Sequence, residues 1–298
     1  MEMTRRQWCG MALASAAGAA FPSLPLFAQP PVKLGVSTFS FRDRSRNDAI
    51  AAIKELGVNG CELFTTHVYF GADEKPDTWL RITPAQLAEQ RSWRLATTRT
   101  YIEDVRAQFD RAGLELYLYY SGLMEPVPDD EVEKEFLFAK WLGLKTISFM
   151  CPPQSVARFA AAAERHDLVV ALHNTSSLFK RIGNMPSDPK EMLAQLDVSP
   201  RIQLNLDIGH FYAAGHDPVA FLKKHHTRVR NIQLKDRRRP EGPNLPCGRG
   251  GTPITKVVNT VARNGWPIPM TVEYEHAAKN RVEEVGRCLI QARTALSK

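Results

Sequence analysis

Polar side chains that can bind a metal ion or move a proton lie at the ends of several apolar segments of this 298-residue sequence. In the segment 203–207, Asn205 and Asp207 alternate with leucines and therefore point to the same face of a strand. The same spacing places Gln233 and Lys235 on one face of another strand. The groups expected to converge are Glu62, His173, Asp207, Gln233, Lys235 and Glu273.

The residue types in this set are those of a metal site. Several oxygen and nitrogen donors at neighbouring strand ends favour a bound cation, because unpaired buried carboxylates cost free energy. A histidine, two carboxylates and an amide are mostly hard donors, which suit one divalent ion such as Mn²⁺ or Mg²⁺, with Zn²⁺ or Co²⁺ as further choices. The alternative for any one carboxylate is a buried ion pair, for example between Lys235 and Glu273. The expected metal ligands are His173, Asp207, Gln233 and Glu273.

A repeated strand and helix unit must position these groups. Apolar helical faces end at glycine or at a polar turn, and a short β-rich run follows. Thr252 is expected to cap one helix, with Pro253 at its first position. In the segment 65–96 we expect a long loop and an additional helix. Strands are predicted near residues 33–38, 59–64, 114–119, 145–150, 168–173, 203–207, 229–235 and 269–274.

Strands that alternate with helices predict an α/β fold with a parallel sheet, and eight such units favour a closed (β/α)8 TIM barrel. The barrel is expected to be a single catalytic domain over residues 29–298. Active sites of such barrels lie at the carboxyl ends of the strands, which is where the candidate groups fall.

The first residues, 1–28, are predicted to be a twin-arginine-type signal peptide rather than part of the barrel. Arg5 and Arg6 precede an uncharged stretch from Cys9 to Phe27, and cleavage is expected after Ala28. The alternative is a membrane anchor, but a glycine and prolines interrupt a stretch that is barely long enough to span a bilayer. We therefore expect a periplasmic or otherwise exported protein with no stable membrane anchor.

Charge and cysteine content exclude several classes of protein. The net charge of +7 is a mild excess, and the densest basic run is Arg237-Arg238-Arg239. This run is interpreted as a solvated loop or as a site for an anion or a substrate carboxylate. No nucleic-acid partner is expected, because no aromatic residues are interleaved with a basic stripe. Of the five cysteines, Cys9 lies in the predicted signal peptide. The other four form no CxxC pair, which argues against a disulfide scaffold and a structural zinc site, so they are interpreted as ordinary core or loop residues: Cys61, Cys151, Cys247 and Cys288.

Over residues 32–297 the sequence resembles the xylose isomerase-like superfamily of TIM barrels, the sugar phosphate isomerase/epimerase family. The resemblance is specific for the superfamily and not for a substrate. It is carried by the segments Leu206-Asp207-Ile208-Gly209-His210-Phe211, Gly215-His216-Asp217-Pro218, Gln233-Leu234-Lys235-Asp236-Arg237, Gly248-Arg249-Gly250-Gly251-Thr252-Pro253-Ile254 and Val272-Glu273-Tyr274-Glu275.

The resemblance implies one divalent metal held by Glu, Asp, His and Glu at four strand ends. Asp207 and Glu273 match two of these ligands. Gln233 stands where the family has histidine, and the first glutamate falls near Ala171, where His173 can replace it from one inward position further on. These departures put the family's use of two catalytic glutamates in doubt.

The resemblance also implies roles in catalysis. Glu273 is the retained acid or base, and His173, Lys235 or Glu62 would supply the second proton-transfer group. Lys235 is favoured, because a nearby cation is expected to make its ammonium lose a proton more easily. The residues expected to contact substrate are Glu62, His210, Asn174, Arg237 and Glu275.

The function implied is a metal-dependent isomerase or epimerase acting on a sugar or keto-sugar through carbonyl activation and proton transfer. A keto-glycoside lyase or hydrolase on the same site is one alternative, and a non-catalytic sugar-binding barrel is another. An apurinic endonuclease is disfavoured, because the chain has only 8 histidines and such enzymes need a histidine-rich zinc cluster. The expected partner is a small-molecule sugar, and the sequence leaves a homo-oligomer open.

Overall fold

The computed structural model describes residues 32–69, 83–123, 126–176 and 187–297. The predicted signal peptide, residues 1–28, lies outside these ranges. Among the helices within them, none combines the length and the apolar character needed to cross a membrane.

Eight parallel strands close into a barrel in which β1 pairs with both β2 and β10. The predicted (β/α)8 barrel is therefore confirmed, and each predicted strand overlaps an observed one. Two further short strands, β8 and β9, form an antiparallel ribbon outside the barrel. In chain order the strands are β1 (Leu34–Ser37), β2 (Gly60–Phe64), β3 (Glu115–Ser121), β4 (Thr146–Phe149), β5 (Val169–His173), β6 (Ile202–Asp207), β7 (Val229–Leu234), β8 (Asp236–Arg237), β9 (Asn244–Leu245) and β10 (Met270–Val272).

The helices lie between the strands in sequence, and α2 is the additional helix expected within 65–96. Of that segment, residues 70–82 lie outside the described residues. The α-helices of the described part are α1 (Arg46–Glu55), α2 (Pro84–Ala96), α3 (Arg99–Arg111), α4 (Asp129–Trp141), α5 (Val156–His166), α6 (Pro189–Leu196), α7 (Ile208–Ala213), α8 (Pro218–His225), α9 (Ile254–Arg263) and α10 (Arg281–Leu296).

In helix α9, the apolar residues that recur at helical spacing are the residues that pack into the core. Among them, Val257 and Val261 are fully buried in the hydrophobic core. Each such side chain stabilises the fold by about 1.5–3 kcal/mol. The predicted cap is wrong by one residue, because Pro253 is the N-cap and the helix begins at Ile254. Thr252 instead accepts a hydrogen bond from the backbone N–H of Arg237, at 3.0 Å.

A disulfide joins Cys247, after β9, to Cys288 in α10. The interpretation of these two cysteines as ordinary residues is wrong. Their spacing along the chain gave no sign that the loop before α9 folds back onto α10. Cys61 and Cys151 are buried in the hydrophobic core, as expected.

We expect reduction of this disulfide to lower the free energy of unfolding by about 4 kcal/mol, because the bond closes a loop with a sequence separation of 41. For a domain of this size, the melting temperature should fall by about 10 °C. Thermal unfolding with and without reductant measures the change. A Cys247→Ser, Cys288→Ser double variant is the control, and it should not respond to reductant. A wild-type protein that is equally indifferent would contradict the prediction.

Candidate functional site

The predicted polar groups do converge at the carboxyl ends of the barrel strands. Along β6, Leu204 and Leu206 pack into the hydrophobic core, whereas Asn205 and Asp207 join a buried polar network. In β7, Ile232 and Leu234 likewise pack into the core, whereas Asn231 and Gln233 join the polar network. The alternation predicted from sequence therefore describes the inward face correctly.

Asp207 lies at the centre of this network because it both ends β6 and caps α7. Its Oδ1 accepts a hydrogen bond from the backbone N–H of His210, at 2.7 Å. Its Oδ2 lies 2.7 Å from Lys235 Nζ, 3.6 Å from His173 Nε2 and 3.8 Å from His210 Nε2. Burial opposes ionisation, but Lys235 and the two histidines outweigh it and hold the pKa of Asp207 well below its usual value.

Lys235 makes ion pairs with three carboxylates. Its Nζ lies 2.7 Å from Asp207 Oδ2 and 2.6 Å from Glu273 Oε2, and it also contacts Glu275 Oε1. Burial by itself lowers the pKa of Lys235, but the three carboxylates together raise it well above its usual value. From the sequence we expected a bound cation to make the Lys235 ammonium lose its proton more easily. The three carboxylates around Lys235 act in the opposite direction and favour its charged form.

The close approach of α7 to β7 requires Gly209. A Cβ atom at this position would lie 2.7 Å from the backbone oxygen of Lys235 and 2.9 Å from its Cβ. Any larger residue would therefore push the capping helix away from the strand. This glycine keeps Asp207 and Lys235 within ion-pairing distance.

Gln233 and His173 face each other across the site. Gln233 Nε2 donates to Glu62 Oε1 at 2.7 Å and to Glu273 Oε1 at 3.1 Å. Gln233 Oε1 lies 2.8 Å from His173 Nε2. The amide oxygen of Gln233 is thus directed towards the histidine, and its donors are held by carboxylates.

Glu62 lies beneath these groups and is fully buried. Its carboxylate accepts hydrogen bonds from Asn231 at 2.8 Å and from Gln233 at 2.7 Å. Burial and the nearby Glu273 raise the pKa of Glu62, although the hydrogen bonds that its carboxylate accepts from Gln233, Thr271 and Asn205 oppose the rise. Glu62 was expected to contact substrate, but it supports Gln233 from below instead, and we interpret it as a positioning residue.

His210 is held in one tautomer. Its Nδ1 accepts from Arg237 Nη1 at 2.5 Å and from the backbone N–H of Ser176 at 3.1 Å, while its Nε2 faces Asp207. Burial lowers the pKa of His210 well below its usual value, against the attraction of Asp207. A neutral ring whose Nδ1 accepts must carry its proton on Nε2. His210 therefore presents an N–H donor to the site.

Arg237 and Asn174 were expected to contact substrate, and the structure gives both of them internal partners. Arg237 is buried and donates to Ser176, to His210 and to the backbone oxygen of Gly242. Asn174 Nδ2 donates to the backbone oxygen of Asp207, and Asn174 Oδ1 accepts from its N–H. Arg237 is buried, so the interpretation of the arginine run as a solvated loop is wrong for this side chain, which positions His210.

Three features of the site were missed from sequence. Ser37 ends β1, and its hydroxyl lies 3.4 Å from Glu62 Oε1 and 3.3 Å from Glu273 Oε1. Asp236 accepts hydrogen bonds from the backbone N–H groups of Gly248, Gly250 and Thr252, and so orders the loop before α9. An aromatic cluster lines the barrel beside His173. Ser37 could have been predicted from the sequence, because it is the last residue of a strand and active sites of such barrels lie at strand ends.

The aromatic cluster consists of Phe39, Phe64 and Tyr120, and it lies where β1, β2 and β3 end. Ring centroids of Phe39 and Phe64 are 4.5 Å apart, and those of Phe64 and Tyr120 are 4.8 Å apart. Tyr120 meets His173 edge to face at 5.4 Å. One side of the site is therefore aromatic, and the other carries the charges.

The residues present fit a divalent cation. His173, Asp207 and Glu273 each offer one ligand atom, and these atoms lie within 4.8 Å of one another. The amide oxygen of Gln233 lies 2.8 Å from His173 Nε2 and is a donor of a type that such ions accept. Ala171, the position suggested for the family's first glutamate, pairs with Gln203 further from the strand end, so His173 is the β5 residue that reaches the cluster.

Comparison with curated protein sequences found no match. Among solved structures, the chain is similar to D-psicose 3-epimerase determined in the presence of D-fructose, at 10% identity over 90% of this chain and 100% of that one, with a TM-score of 0.64. It is similar to IolI protein with a bound zinc atom, at 12% identity over 89% and 98%, with a TM-score of 0.63. It is also similar to the probable 3-DHS dehydratase AsbF from Bacillus anthracis, at 16% identity over 90% and 99%, with a TM-score of 0.62.

These likenesses at low identity agree with the observed barrel and extend over nearly the whole of each structure. A family match is more specific than a shared fold. The model of the xylose isomerase-like TIM barrel family matches residues 50–291, which is most of the sequence. The chain therefore belongs to the xylose isomerase-like TIM barrel family.

Proposed function

We propose that this protein is a sugar isomerase or epimerase that depends on a divalent cation held by His173, Asp207, Gln233 and Glu273. The observation that carries the proposal is the convergence of His173, Asp207 and Glu273 at one strand-end site in a family barrel. When bound, the cation would polarise a substrate carbonyl and so acidify the adjacent C–H bond.

The aromatic cluster supports a carbohydrate substrate. Sugars have apolar C–H faces as well as hydroxyl groups, and small-molecule sites combine aromatic walls with a few placed polar groups. Here Tyr120 stands next to His173, and His210 presents an N–H donor from the neighbouring strand end. A sugar lying on the aromatic side would direct its oxygens towards the charged side.

Glu273 is the proposed base. Burial raises the pKa of its carboxyl group, and Lys235 limits the rise. Its two oxygens are oriented by Lys235 on one side and by Gln233 and Ser37 on the other. A held carboxylate with a raised pKa is suited to accept a proton from carbon near neutral pH. Lys235 remains charged, so its proposed part is to stabilise negative charge on a substrate oxygen.

A keto-glycoside lyase is the second candidate. The similarity to a dehydratase favours it, because loss of water from a hydroxyketone and loss of an aglycone are both eliminations next to a carbonyl. Both candidate reactions begin with removal of a proton by a group such as Glu273. They differ in whether the proton returns to carbon or a C–O bond breaks.

Incubation of the Mn²⁺-loaded protein with free keto-sugars and keto-glycosides in D₂O tests this proposal. We expect deuterium to enter a C–H position next to the carbonyl while the carbon skeleton and the glycosidic bond stay intact. Release of an aglycone would favour the lyase instead. Tight sugar binding without either reaction would contradict both and indicate a binding protein. Metal-free protein is the control and should not exchange.

A further inference from the structure

The two carboxylates that could hold a metal ion in this site are also the ones that Lys235 contacts. The side chain of Lys235 is 2% exposed, and its Nζ lies within ion-pairing distance of Asp207 Oδ2 and Glu273 Oε2. Asp207 and Glu273 are also the two anionic members of the cluster that can hold a metal ion.

We propose that the Lys235 ammonium occupies the metal-binding oxygens when no divalent cation is present, and that it moves towards Glu275 when the cation enters. This inference rests on the proposed function only in assuming that the site takes a divalent metal. It assigns Lys235 and Glu275 a role in metal exchange that is separate from any role in proton transfer.

Repulsion requires such a movement. An ammonium and a divalent ion about 4 Å apart repel each other by about 8 kcal/mol at an effective dielectric constant of about 20. The two cations therefore cannot both remain in contact with Asp207 and Glu273. In the absence of metal, Lys235 gives these buried carboxylates the partner that they need.

The charges of the site allow both cations once Lys235 has moved. Asp207, Glu273 and Glu275 carry three negative charges and Lys235 one positive charge, so two negative charges remain for a divalent cation to neutralise. Glu275 already contacts the Lys235 ammonium, so its carboxylate is in place to retain the ammonium after the movement.

The geometry permits the head of the lysine to move while its base stays fixed. The Cβ of Lys235 packs closely against Gly209, which holds the start of the side chain. The flexible methylene chain can still swing. Glu275 lies nearer the rim, with 21% of its side chain exposed compared with 6% for Glu273. Arg42 donates to its backbone oxygen at 3.2 Å and fixes the segment that carries it.

Titration calorimetry with Mn²⁺ on metal-free protein tests the proposal. Lys235→Met removes the competing charge at similar length and should lower the Kd for Mn²⁺ by at least about tenfold. Glu275→Gln removes the place to which the ammonium moves and should raise the Kd. In the double variant the effect of Glu275→Gln should disappear, because no ammonium remains to be moved. Lys145→Met, at an exposed ion pair with Asp167, is the control and should bind Mn²⁺ as the wild type does.

The outcomes separate this proposal from the proposed function. If Lys235→Met binds Mn²⁺ no more tightly than the wild type, or if Glu275→Gln binds it equally well, the competition is overturned. Isotope exchange that still depends on Mn²⁺ would then leave the proposed function intact. If no variant binds Mn²⁺, the competition is overturned together with the metal site. Should Lys235→Met not fold without metal, Glu275→Gln decides, because it leaves Lys235 paired with Asp207 and Glu273.

Discussion

Glu273→Gln is expected to lower the turnover of isotope exchange by about 10²–10⁴-fold, the usual loss for a general acid or base. The substitution keeps the shape of the side chain but removes its negative charge, and with it an anionic metal ligand and the basicity needed to accept the proton. It also replaces an acceptor of the Gln233 and Lys235 hydrogens with an amide. Measurement of turnover and of retained metal on the same preparation shows whether proton transfer, metal binding or both are lost.

A matched control for Glu273→Gln is the same substitution at an exposed glutamate. Glu283 lies on α10, where its side chain is 54% exposed and pairs only at the surface with Arg287. Glu283→Gln should leave turnover and metal content unchanged. If Glu273→Gln behaves like this control, Glu273 is neither the base nor a metal ligand. If turnover falls while metal content is retained, the role as base stands alone.

The barrel and its inward face could be predicted from sequence because both follow from local patterns. Alternation along 203–207 fixes which side chains of β6 point inward, whatever lies across the barrel. Alternation likewise places Gln233 in β7 and Lys235, the residue after β7, on the inward face. Capping needs only neighbouring residues, which is why an aspartate such as Asp207 can both end a strand and begin a helix.

The functions of individual groups could not be predicted in the same way, because they depend on partners far away in sequence. Glu62 and Gln233 are 171 residues apart, and their contact depends on how deep each lies in the barrel. The register of β2 against β3 shifts between Cys61 and Glu62, which changes that depth, and no residue type in the sequence indicates the shift. The raised pKa of Lys235 likewise follows from three carboxylates, one at the end of β6 and two after β10. Sequence thus indicates which groups face inward, and long-range register decides what each one touches.

The position of Glu62 leads to the second large expected effect. Its Oε1 accepts from Gln233 Nε2 and its Oε2 accepts from Asn231 Nδ2, so both oxygens face amide donors. A glutamine at this position would have to direct its own NH₂ group at one of them. Two donors would then oppose each other in a buried space, where an unpaired polar group costs about 1–3 kcal/mol. Rotation of the Gln233 amide would relieve the conflict, but it would turn Nε2 instead of Oε1 towards His173.

Glu62→Gln is therefore expected to weaken Mn²⁺ binding by about 10–100-fold, the usual loss when the partner of a metal ligand is removed. The reason is that a rotated Gln233 offers an N–H donor where the cation needs an oxygen. The dissociation constant from calorimetry measures this effect, and thermal unfolding of the metal-free protein measures any general damage to the fold. A large rise in Kd with a small change in melting temperature would support the positioning role. An unchanged Kd would show that Glu62 does not orient Gln233 and that the amide is not a ligand, whereas a fall in melting temperature alone would make Glu62 a purely structural residue.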